Sequence, residues 1–247
     1  GSVADPKVKL ENDTSMNLGD GDNEVTVDGS VLLGKIENGT PTKKIITTGS
    51  GKDNITLQNG AGIEERVIET GEGADQVNVY DGAYLNFAKI ETGKGDDVVR
   101  FEHLINNGYS TATETEINMG DGQDTVLLTG IGNKNYAGRV SDFQQVNINM
   151  GDGDWKHVQI NGGKVETTDI TTGSKDDRIE IQDDSLMEGR NSIYTGAGED
   201  NVQIRDSKLN GTATAKTSIN TGADTDRVVI NNSTLMHAVV EIGRAHV

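Results

Sequence analysis

The chain of 247 residues contains no cysteine, so it can form neither a disulfide framework nor a thiol-based site. It also lacks a run of about 18 apolar residues, which excludes a helix that spans a membrane. Positive charge is scarce: 22 Lys and Arg stand against 40 Asp and Glu, and the net charge of -18 disfavours nucleic-acid binding because phosphates are repelled. Only 32% of the residues are hydrophobic and 4% are aromatic, which is little for a globular core of this length.

Low hydrophobicity combined with high net charge is typical of disordered chains, but the order of the residues indicates a regular structure. One pattern recurs nine times: an apolar residue, a variable residue, then Thr, Met or Leu, and then a turn of the type Gly-x-Gly-x-Asp followed by alternating apolar residues. The copies begin their turns at Gly19, Gly49, Gly71, Gly93, Gly120, Gly151, Gly173, Gly196 and Gly222. Their spacing of 22 to 31 residues predicts a repeat architecture with one structural unit per copy.

No single copy contains enough apolar residues for a core, but stacked copies bury them in one continuous column. Period-two alternation on both sides of the glycine turn predicts two short strands, and a second turn rich in Asn, Asp and Gly precedes a third short segment. We therefore predict an all-β fold: one parallel β-solenoid of about nine coils over residues 16–240, right-handed as parallel connections usually are. A β-sandwich of repeated hairpins is the alternative, although sandwiches do not keep one glycine turn in register throughout.

The two ends of the chain depart from the repeat. Residues 1–15 are interpreted as a lead-in that starts with Gly1-Ser2, a pair typical of a cloning scar. Residues 241–247 (Glu-Ile-Gly-Arg-Ala-His-Val) resemble the translation of a sequencing adapter, which predicts a non-native tail; a native tail is the alternative. We expect the chain to be an excerpt of a longer repeat protein, and the open end of such a solenoid invites end-to-end self-association.

The aspartate of the glycine turn is the most specific chemical signal in the sequence. Seven of the nine copies contain it: Asp53, Asp75, Asp97, Asp124, Asp177, Asp200 and Asp226. Over about nine residues of each coil, the turn resembles the nonapeptide Gly-Gly-x-Gly-x-Asp-x-apolar-x of the repeats-in-toxin (hemolysin-type) family, except that Thr or Met replaces the first Gly. The resemblance implies Ca²⁺ between the turns of neighbouring coils, held by Asp carboxylates and backbone carbonyls. Because this chain has one such turn per coil, it implies a single row of calcium sites.

Physical chemistry allows two interpretations of the aspartates. Stacked coils place neighbouring carboxylates about 4.8 Å apart, where they repel by about 3 to 4 kcal/mol at an effective dielectric constant of about 20, and a cation would relieve this. Hard oxygen ligands suit Ca²⁺ better than Mg²⁺, which dehydrates reluctantly. In the alternative, each Asp only accepts hydrogen bonds from backbone amides of its turn, and no metal binds.

Two copies depart from the aspartate pattern. Asn23 and Trp155 stand in its place, and the copy with Trp155 also carries one extra residue, since Val158 and Ile160 are displaced by one. We expect Trp155 to interrupt the column. Calcium binding would then use five neighbouring pairs in two groups, which are Asp53/Asp75, Asp75/Asp97, Asp97/Asp124, Asp177/Asp200 and Asp200/Asp226.

Aromatic residues concentrate in two long inserts on consecutive coils, at about residues 102–116 and 129–145. These inserts contain Tyr109, Tyr136 and Phe143, and Trp155 follows one turn later. Inserts on adjacent coils often emerge on one face, so these side chains are a candidate patch for a glycan or protein ligand. The alternative is that the loops pack on the rod and the aromatics cover its side.

Other classes of function find less support in the sequence. Motifs for a nucleophile elbow, a metalloprotease or a phosphate loop are missing, so we expect no enzymatic activity. A glycan-binding or polysaccharide-acting β-helix is the alternative, and an ice-binding solenoid is a further one, although Glu69, Glu91 and Tyr194 interrupt the outward Thr array that ice binding needs. The sequence predicts a calcium-stabilised structural segment of a large secreted or cell-surface bacterial adhesin, with a glycan or a host or cell-surface protein as the expected partner.

Overall fold

The structure is a computed structural model that describes residues 9–10, 15–33, 41, 43–102, 110–130 and 142–243. The regular structure in these residues is entirely β-strand, and the strands form three parallel sheets. The predicted all-β parallel solenoid is thereby confirmed. The described residues include no helix that could cross a membrane.

Each coil contributes one strand to each sheet, so strands that are neighbours in a sheet lie one coil apart in the chain. The first sheet contains β1 (Lys9–Leu10), β4 (Val31–Leu33), β7 (Gly62–Glu64), β10 (Tyr84–Asn86), β13 (Thr111–Thr113), β16 (Asp142–Gln144), β19 (Lys164–Glu166), β22 (Leu186–Glu188), β25 (Lys208–Asn210) and β28 (Thr234–Met236). The second contains β2 (Met16–Gly19), β5 (Lys44–Thr48), β8 (Val67–Glu72), β11 (Lys89–Lys94), β14 (Glu116–Asn118), β17 (Asn147–Asn149), β20 (Asp169–Thr171), β23 (Ser192–Tyr194), β26 (Thr217–Asn220) and β29 (Ala238–Glu241). The third contains β3 (Glu24–Asp28), β6 (Asn54–Gln58), β9 (Gln76–Tyr80), β12 (Val98–Glu102), β15 (Thr125–Thr129), β18 (His157–Asn161), β21 (Arg178–Gln182), β24 (Asn201–Arg205) and β27 (Arg227–Asn231).

The register of the sheets places equivalent residues of successive copies directly above one another. Ile68 pairs with Ile90 and Ile90 with Ile117 in the second sheet, while Val77 pairs with Val99 in the third. All five side chains are fully buried and belong to one continuous hydrophobic core. The small hydrophobic fraction of the sequence is sufficient because each coil buries its apolar residues mainly against the coils above and below.

The corners between the sheets are made by residues with left-handed backbone conformation. The glycine turn joins the second sheet to the third. The predicted Asx turn joins the third sheet to the first and uses residues such as Asn59 and Asp81, with φ of 54° and 48°. Asn and Asp tolerate this conformation better than other residues with a side chain, which explains their recurrence at this corner. The glycine turn is the corner that positions the aspartates.

The C-terminal boundary of the solenoid lies beyond residue 240. Glu241 is the last residue of β29 and pairs with Asn220. The amide of Gly243 donates to Thr221 Oγ1 at 3.0 Å. The segment Val240-Glu241-Ile242-Gly243 therefore follows the coil. The origin of residues 241–247 stays a prediction, and residues 1–8 and 244–247 lie outside the described residues.

Candidate metal site: the aspartate column

The seven turn aspartates lie in one column along the corner between the second and third sheets. Each aspartate is the residue directly before a strand of the third sheet. The parallel register of these strands stacks the aspartates, one per coil. Asp53, Asp75, Asp97 and Asp124 are fully buried, and Asp200 is 1% exposed. We call this set the aspartate column: Asp53, Asp75, Asp97, Asp124, Asp177, Asp200 and Asp226. Burial of so many carboxyl groups requires a specific compensation for each oxygen.

One oxygen of each carboxyl group is compensated by the backbone of the preceding coil. The amide of Asp53 donates to Asp75 Oδ1 at 2.9 Å, and the amide of Asp75 donates to Asp97 Oδ1 at 2.8 Å. The same bond recurs at every rung: Asn23 to Asp53, Asp97 to Asp124, Lys156 to Asp177, Asp177 to Asp200 and Asp200 to Asp226, at 2.8 to 3.0 Å. The Oδ1 atoms thus form two ladders that link the coils, one from Asn23 to Asp124 and one from Lys156 to Asp226.

The second oxygen has no donor at four rungs of the column. Oδ2 of Asp53, Asp75, Asp97 and Asp177 is buried and accepts no hydrogen bond. The hydroxyls of Thr70, Thr92 and Thr172 lie near the carboxyl groups of Asp75, Asp97 and Asp177 and partly offset the rise that burial causes in their pKa values. Each hydroxyl has a single proton, however, and donates it to a carbonyl of the next coil, as Thr70 does to Thr92 at 3.1 Å. At the last two rungs, Oδ2 does have a neighbour, because Thr195 Oγ1 lies 2.5 Å from Asp200 and Thr221 Oγ1 lies 2.6 Å from Asp226. A proton or a cation would compensate these four oxygens.

Burial raises the pKa values of five carboxyl groups of the column. The pKa of Asp97 rises from 3.8 to about 7, mainly because its carboxylate is removed from water, with repulsion from Asp124 and Asp75 adding to the rise. Desolvation likewise raises the pKa of Asp200 to about 6. The pKa values of Asp75, Asp124 and Asp177 are raised for the same main reason. Carboxylates in this column are therefore energetically costly unless a proton or a cation accompanies them.

The copy with the extra residue places a lysine at the position of the aspartate. The amide of His157 donates to the Asp124 carbonyl and the amide of Arg178 to the Lys156 carbonyl, so Lys156 occupies the rung between Asp124 and Asp177. Lys156 is 1% exposed, whereas Trp155 is 41% exposed. Lys156, rather than Trp155 as the sequence predicted, therefore interrupts the column of aspartates. Trp155 is the inserted residue, and its side chain is exposed to solvent.

The ammonium group of Lys156 is held entirely by oxygen atoms of the coil below. Its Nζ lies 2.5 Å from Asp124 Oδ2, 2.8 Å from the Gly122 carbonyl and 3.0 Å from the Gly120 carbonyl. We call these three atoms, and their equivalents in other copies, the oxygen cage of the turn. The cage of this copy is thus occupied by a positive charge that the chain itself supplies.

The first copy fills its cage with an amide group. Asn23 Nδ2 lies within hydrogen-bonding distance of the Gly19 carbonyl at 3.1 Å, the Gly21 carbonyl at 2.6 Å and Asp53 Oδ1 at 2.9 Å. An asparagine at this rung therefore supplies donors where an aspartate has only acceptors. Both departures from the aspartate pattern thus place a nitrogen donor in the cage.

The remaining cages have equivalent backbone atoms because the turn glycines stack. A Cβ built on Gly71 would lie 2.1 Å from the Gly49 carbonyl oxygen, and one on Gly73 would lie 1.6 Å from that of Gly51, so these carbonyls point along the rod toward the next coil. In the copies of Asp53, Asp75 and Asp97, two such carbonyls and an uncompensated Oδ2 form the cage, and in the copy of Asp177 the two carbonyls belong to Gly173 and Lys175. Within the described residues, no three His, Asp or Glu side chains converge on one point, so any metal here would depend on backbone carbonyls.

The predicted aromatic patch does not assemble as a surface among the described residues. Phe143 is fully buried and packs edge-to-face on Phe101 with ring centroids 5.4 Å apart, which removes it from any ligand surface. Phe143 is buried because it lies at the inward position of β16, between Ala112 and Val165. Trp155 is exposed and its ring lies 5.4 Å from that of His157. Tyr109 and Tyr136 lie outside the described residues.

Lys156 is the functional residue that sequence reasoning missed. The signal was present, because aspartates precede their first buried strand residue by two positions, as Asp75 precedes Val77, and Lys156 precedes the displaced Val158 by two. Comparison with known proteins adds no identification: no protein-family model, no curated protein and no solved structure matches this chain.

Proposed function

We propose that this solenoid is a structural segment of a large secreted or cell-surface adhesin-like repeat protein, and that Ca²⁺ bound in the glycine turns stabilises it. The observation that carries the proposal is the set of four buried Oδ2 atoms, on Asp53, Asp75, Asp97 and Asp177, that have no donor. Each belongs to a cage of acceptors only. A group with positive charge is what such a cage lacks.

The ligand atoms favour calcium over other cations. Carboxylate and carbonyl oxygens are hard ligands, and Ca²⁺ accepts irregular sets of six to eight of them, including water. The cage of Asp75 supplies its Oδ2 and the carbonyls of Gly71 and Gly73, while Asp97 Oδ1 approaches from the next coil. The fifth pair expected from the sequence, Asp200/Asp226, is the weakest candidate because the hydroxyls of Thr195 and Thr221 lie 2.5 and 2.6 Å from the Oδ2 atoms of this pair. We therefore propose four sites, one at each uncompensated rung.

An extracellular location agrees with this chemistry. Extracellular calcium modules bind with Kd values of about 10⁻⁴ to 10⁻³ M, so such sites fill outside cells and stay empty inside them. A chain whose buried carboxylates lack calcium would be less stable before export than after it. The role proposed here is mechanical and non-catalytic: a stiff acidic rod that displays or spaces other parts of the protein.

Thermal unfolding with and without calcium tests the proposal. Circular dichroism melts in EDTA and in millimolar CaCl₂ should differ by at least about 5 °C in apparent Tm, since binding to several sites adds about 2.7 kcal/mol per site at a ligand concentration of about 100 times Kd. MgCl₂ at equal concentration serves as the control and should give a smaller shift. Equal melting temperatures in EDTA and in calcium would contradict the proposal and favour aspartates that only cap the turns.

Glycan binding is the second candidate function, and the exposed Trp155 favours it. An exposed indole is a common stacking surface for sugar rings, and Trp155 lies beside His157 in the turn that precedes β18. Trp155→Ala should abolish any signal of the rod on a glycan array, while Tyr194→Ala, which removes an exposed aromatic on the second sheet, should leave it unchanged. Absence of binding by the unmodified rod would reject this candidate.

A further inference from the structure

The strongest unexplained feature outside the proposed calcium sites is the buried lysine in the aspartate column. Lys156 and Asp124 form an ion pair with Nζ and Oδ2 2.5 Å apart, and their side chains are 1% and 0% exposed. A lysine is almost never fully buried without full compensation. The position of its ammonium group shows what this compensation consists of.

The hydrogen bonds of the ammonium group match its donors one for one. An ammonium has three N–H donors and no acceptor. The three contacts of Nζ are with the carbonyls of Gly120 and Gly122 and with Asp124 Oδ2, which together are the oxygen cage of that turn. A positive charge at this point therefore satisfies every acceptor of the cage, and Asp124 is not among the aspartates whose Oδ2 is left without a donor.

The neighbouring cage of Asp97 has the same turn backbone but different partners, because its Gly93 carbonyl accepts the Asp121 amide at 2.9 Å whereas the equivalent Gly120 carbonyl accepts Lys156 Nζ. Gly120 stacks on Gly93 and Gly122 stacks on Gly95, so the turn backbone of Asp124 repeats that of Asp97. Asp97 Oδ2 has no donor and Asp124 Oδ2 has the ammonium. The difference is that Lys156 enters from the coil above, where the other copies have an aspartate. The same backbone thus appears once with an internal cation and several times without one.

We propose that the Lys156 ammonium is a tethered substitute for a bound calcium ion, and that removal of the lysine side chain opens an additional calcium site at Asp124. This inference rests on the proposed function for the identity of the ion. In this proposal the Lys156 ammonium occupies the position of a cation. A free divalent cation would therefore bind in the cage when the lysine side chain is absent. The proposal also implies that the contact between the coils of Asp124 and Lys156 needs no metal, so the calcium sites are divided into a block before Lys156 and a block after it.

The test compares Lys156→Ala with a matched control, Lys52→Ala. Lys52 is exposed and directly precedes Asp53, so this control removes one positive charge beside the column without emptying a cage. In EDTA, Lys156→Ala should melt about 10 °C below the unmodified protein, because an unpaired buried carboxylate remains. Millimolar calcium should remove most of this deficit. Isothermal titration calorimetry and equilibrium dialysis should count one more calcium ion per chain for Lys156→Ala than for the unmodified protein or for Lys52→Ala.

The outcomes separate the two proposals. If the unmodified protein binds calcium and Lys156→Ala binds no additional ion, the inference is wrong while the proposed function stands. If only Lys156→Ala binds calcium, the inference holds and the proposed function fails. If neither binds calcium, both are wrong.

A second variant guards against a failure of Lys156→Ala to fold. The double variant Lys156→Ala/Asp124→Asn removes both charges and places an amide donor in the cage, as Asn23 does in the first copy. It should fold in EDTA and bind no additional calcium. If the double variant folds while Lys156→Ala stays unfolded in calcium, the cage cannot accept the ion and the inference is overturned. Refolding of Lys156→Ala on calcium addition supports it.

Discussion

At each rung of the aspartate column, the two oxygens of one carboxyl group face different surroundings. Oδ1 accepts the backbone amide of the coil below, as Asp97 does from Asp75, and this bond requires an acceptor. Oδ2 faces the carbonyls of its own turn, where a donor or a cation is required. An asparagine has an acceptor for the first need and a donor for the second, whereas an aspartate meets only the first; the side chain of Asn23 shows the second contact by donating to the carbonyls of Gly19 and Gly21. The persistence of aspartate at seven positions therefore needs a reason other than metal-free stability.

The substitution Asp97→Asn should have opposite effects in the absence and presence of calcium. In EDTA it should raise the free energy of unfolding by about 1 to 3 kcal/mol, because it replaces an uncompensated buried acceptor by a donor while keeping the acceptor for the Asp75 amide. In calcium it should lower stability relative to the unmodified protein, since one ligand carboxylate is lost. Thermal melts of both proteins under both conditions measure this crossover.

Two further variants test the origin of that crossover. Asp97→Ala removes both oxygens and should destabilise the protein under both conditions, since the Asp75 amide then loses its acceptor. Asp169→Asn makes the same chemical change at an exposed position of β20 and should have little effect. A decrease in stability for Asp97→Asn in EDTA would contradict the proposed surroundings of Oδ2.

The raised pKa values predict that the metal-free protein loses stability as the pH rises. The pKa of Asp97 is about 7 and that of Asp200 about 6 in the folded chain, against an ordinary value of 3.8. The folded state therefore holds more protons than the unfolded state between these values, so its stabilisation is complete below about pH 4 and lost as the pH rises through about 7. In EDTA, apparent Tm should fall by several degrees from about pH 5 to about pH 8.

Calcium and substitution should both remove this pH dependence. Bound Ca²⁺ competes with the protons, so the loss of stability toward about pH 8 should be smaller in calcium than in EDTA. The double variant Asp97→Asn/Asp200→Asn has no carboxyl group at these rungs and should show a flatter profile in EDTA. A Tm in EDTA that increases from about pH 5 to about pH 8 would contradict the raised pKa values of Asp97 and Asp200.

At the scale of the elements, the glycine turn sets how closely two coils approach. Gly73 has φ of 146°, and a Cβ at this position would lie 1.6 Å from the Gly51 carbonyl oxygen. Gly60, in the turn after β6, also has a positive φ of 78°, but a Cβ there would meet no atom within 4 Å. Gly60 is therefore required only for its backbone conformation, whereas Gly73 is required both for its conformation and for the close approach of the next coil.

Substitution by alanine should affect these two positions very differently. Gly60→Ala should cost about 1 to 2 kcal/mol, the cost of a left-handed conformation alone. Gly73→Ala should cost about 3 kcal/mol or more, because the coils must also move apart, and it should weaken calcium binding at the neighbouring rungs. Chemical denaturation and calcium titration of the two variants provide the comparison, and equal losses would contradict the close approach of the turns.

The strands and turns could be predicted from the sequence because the same pattern of apolar and glycine positions recurs nine times. An apolar position such as Ile90 must face the core in every copy, and a turn that brings backbones together must use glycine. The prediction failed where a single copy departs from the pattern. Phe143 lies within an insert, so periodicity did not reveal that it pairs in register with Ala112. Lys156 was missed because charge and composition favour an exposed lysine, and only the contacts of its ammonium explain its burial.

At the scale of the whole molecule, the last coil that the structure describes is covered by described residues on one side only. Leu209 and Val202 are fully buried, but Leu235 and Val228, which pair with them in the last coil, are only half-buried. Within the described residues, β27, β28 and β29 each pair with a strand on one side alone. An unpaired strand edge with apolar side chains is a template for pairing with a further strand.

We therefore expect two copies of this chain to associate through the last coil. Met236 and Val239, 51% and 37% exposed, point away from the core at this edge, so Met236→Lys/Val239→Lys adds charge without disturbing the interior. Sedimentation velocity over a range of protein concentrations should show association for the unmodified chain and little for this variant. Tyr194→Lys, a control at an exposed aromatic residue on the second sheet, should associate like the unmodified chain. Because the net charge of -18 opposes association, added salt should strengthen it. A monomer at all concentrations, in low and high salt alike, would mean that repulsion between the acidic rods outweighs the attraction of their open edges.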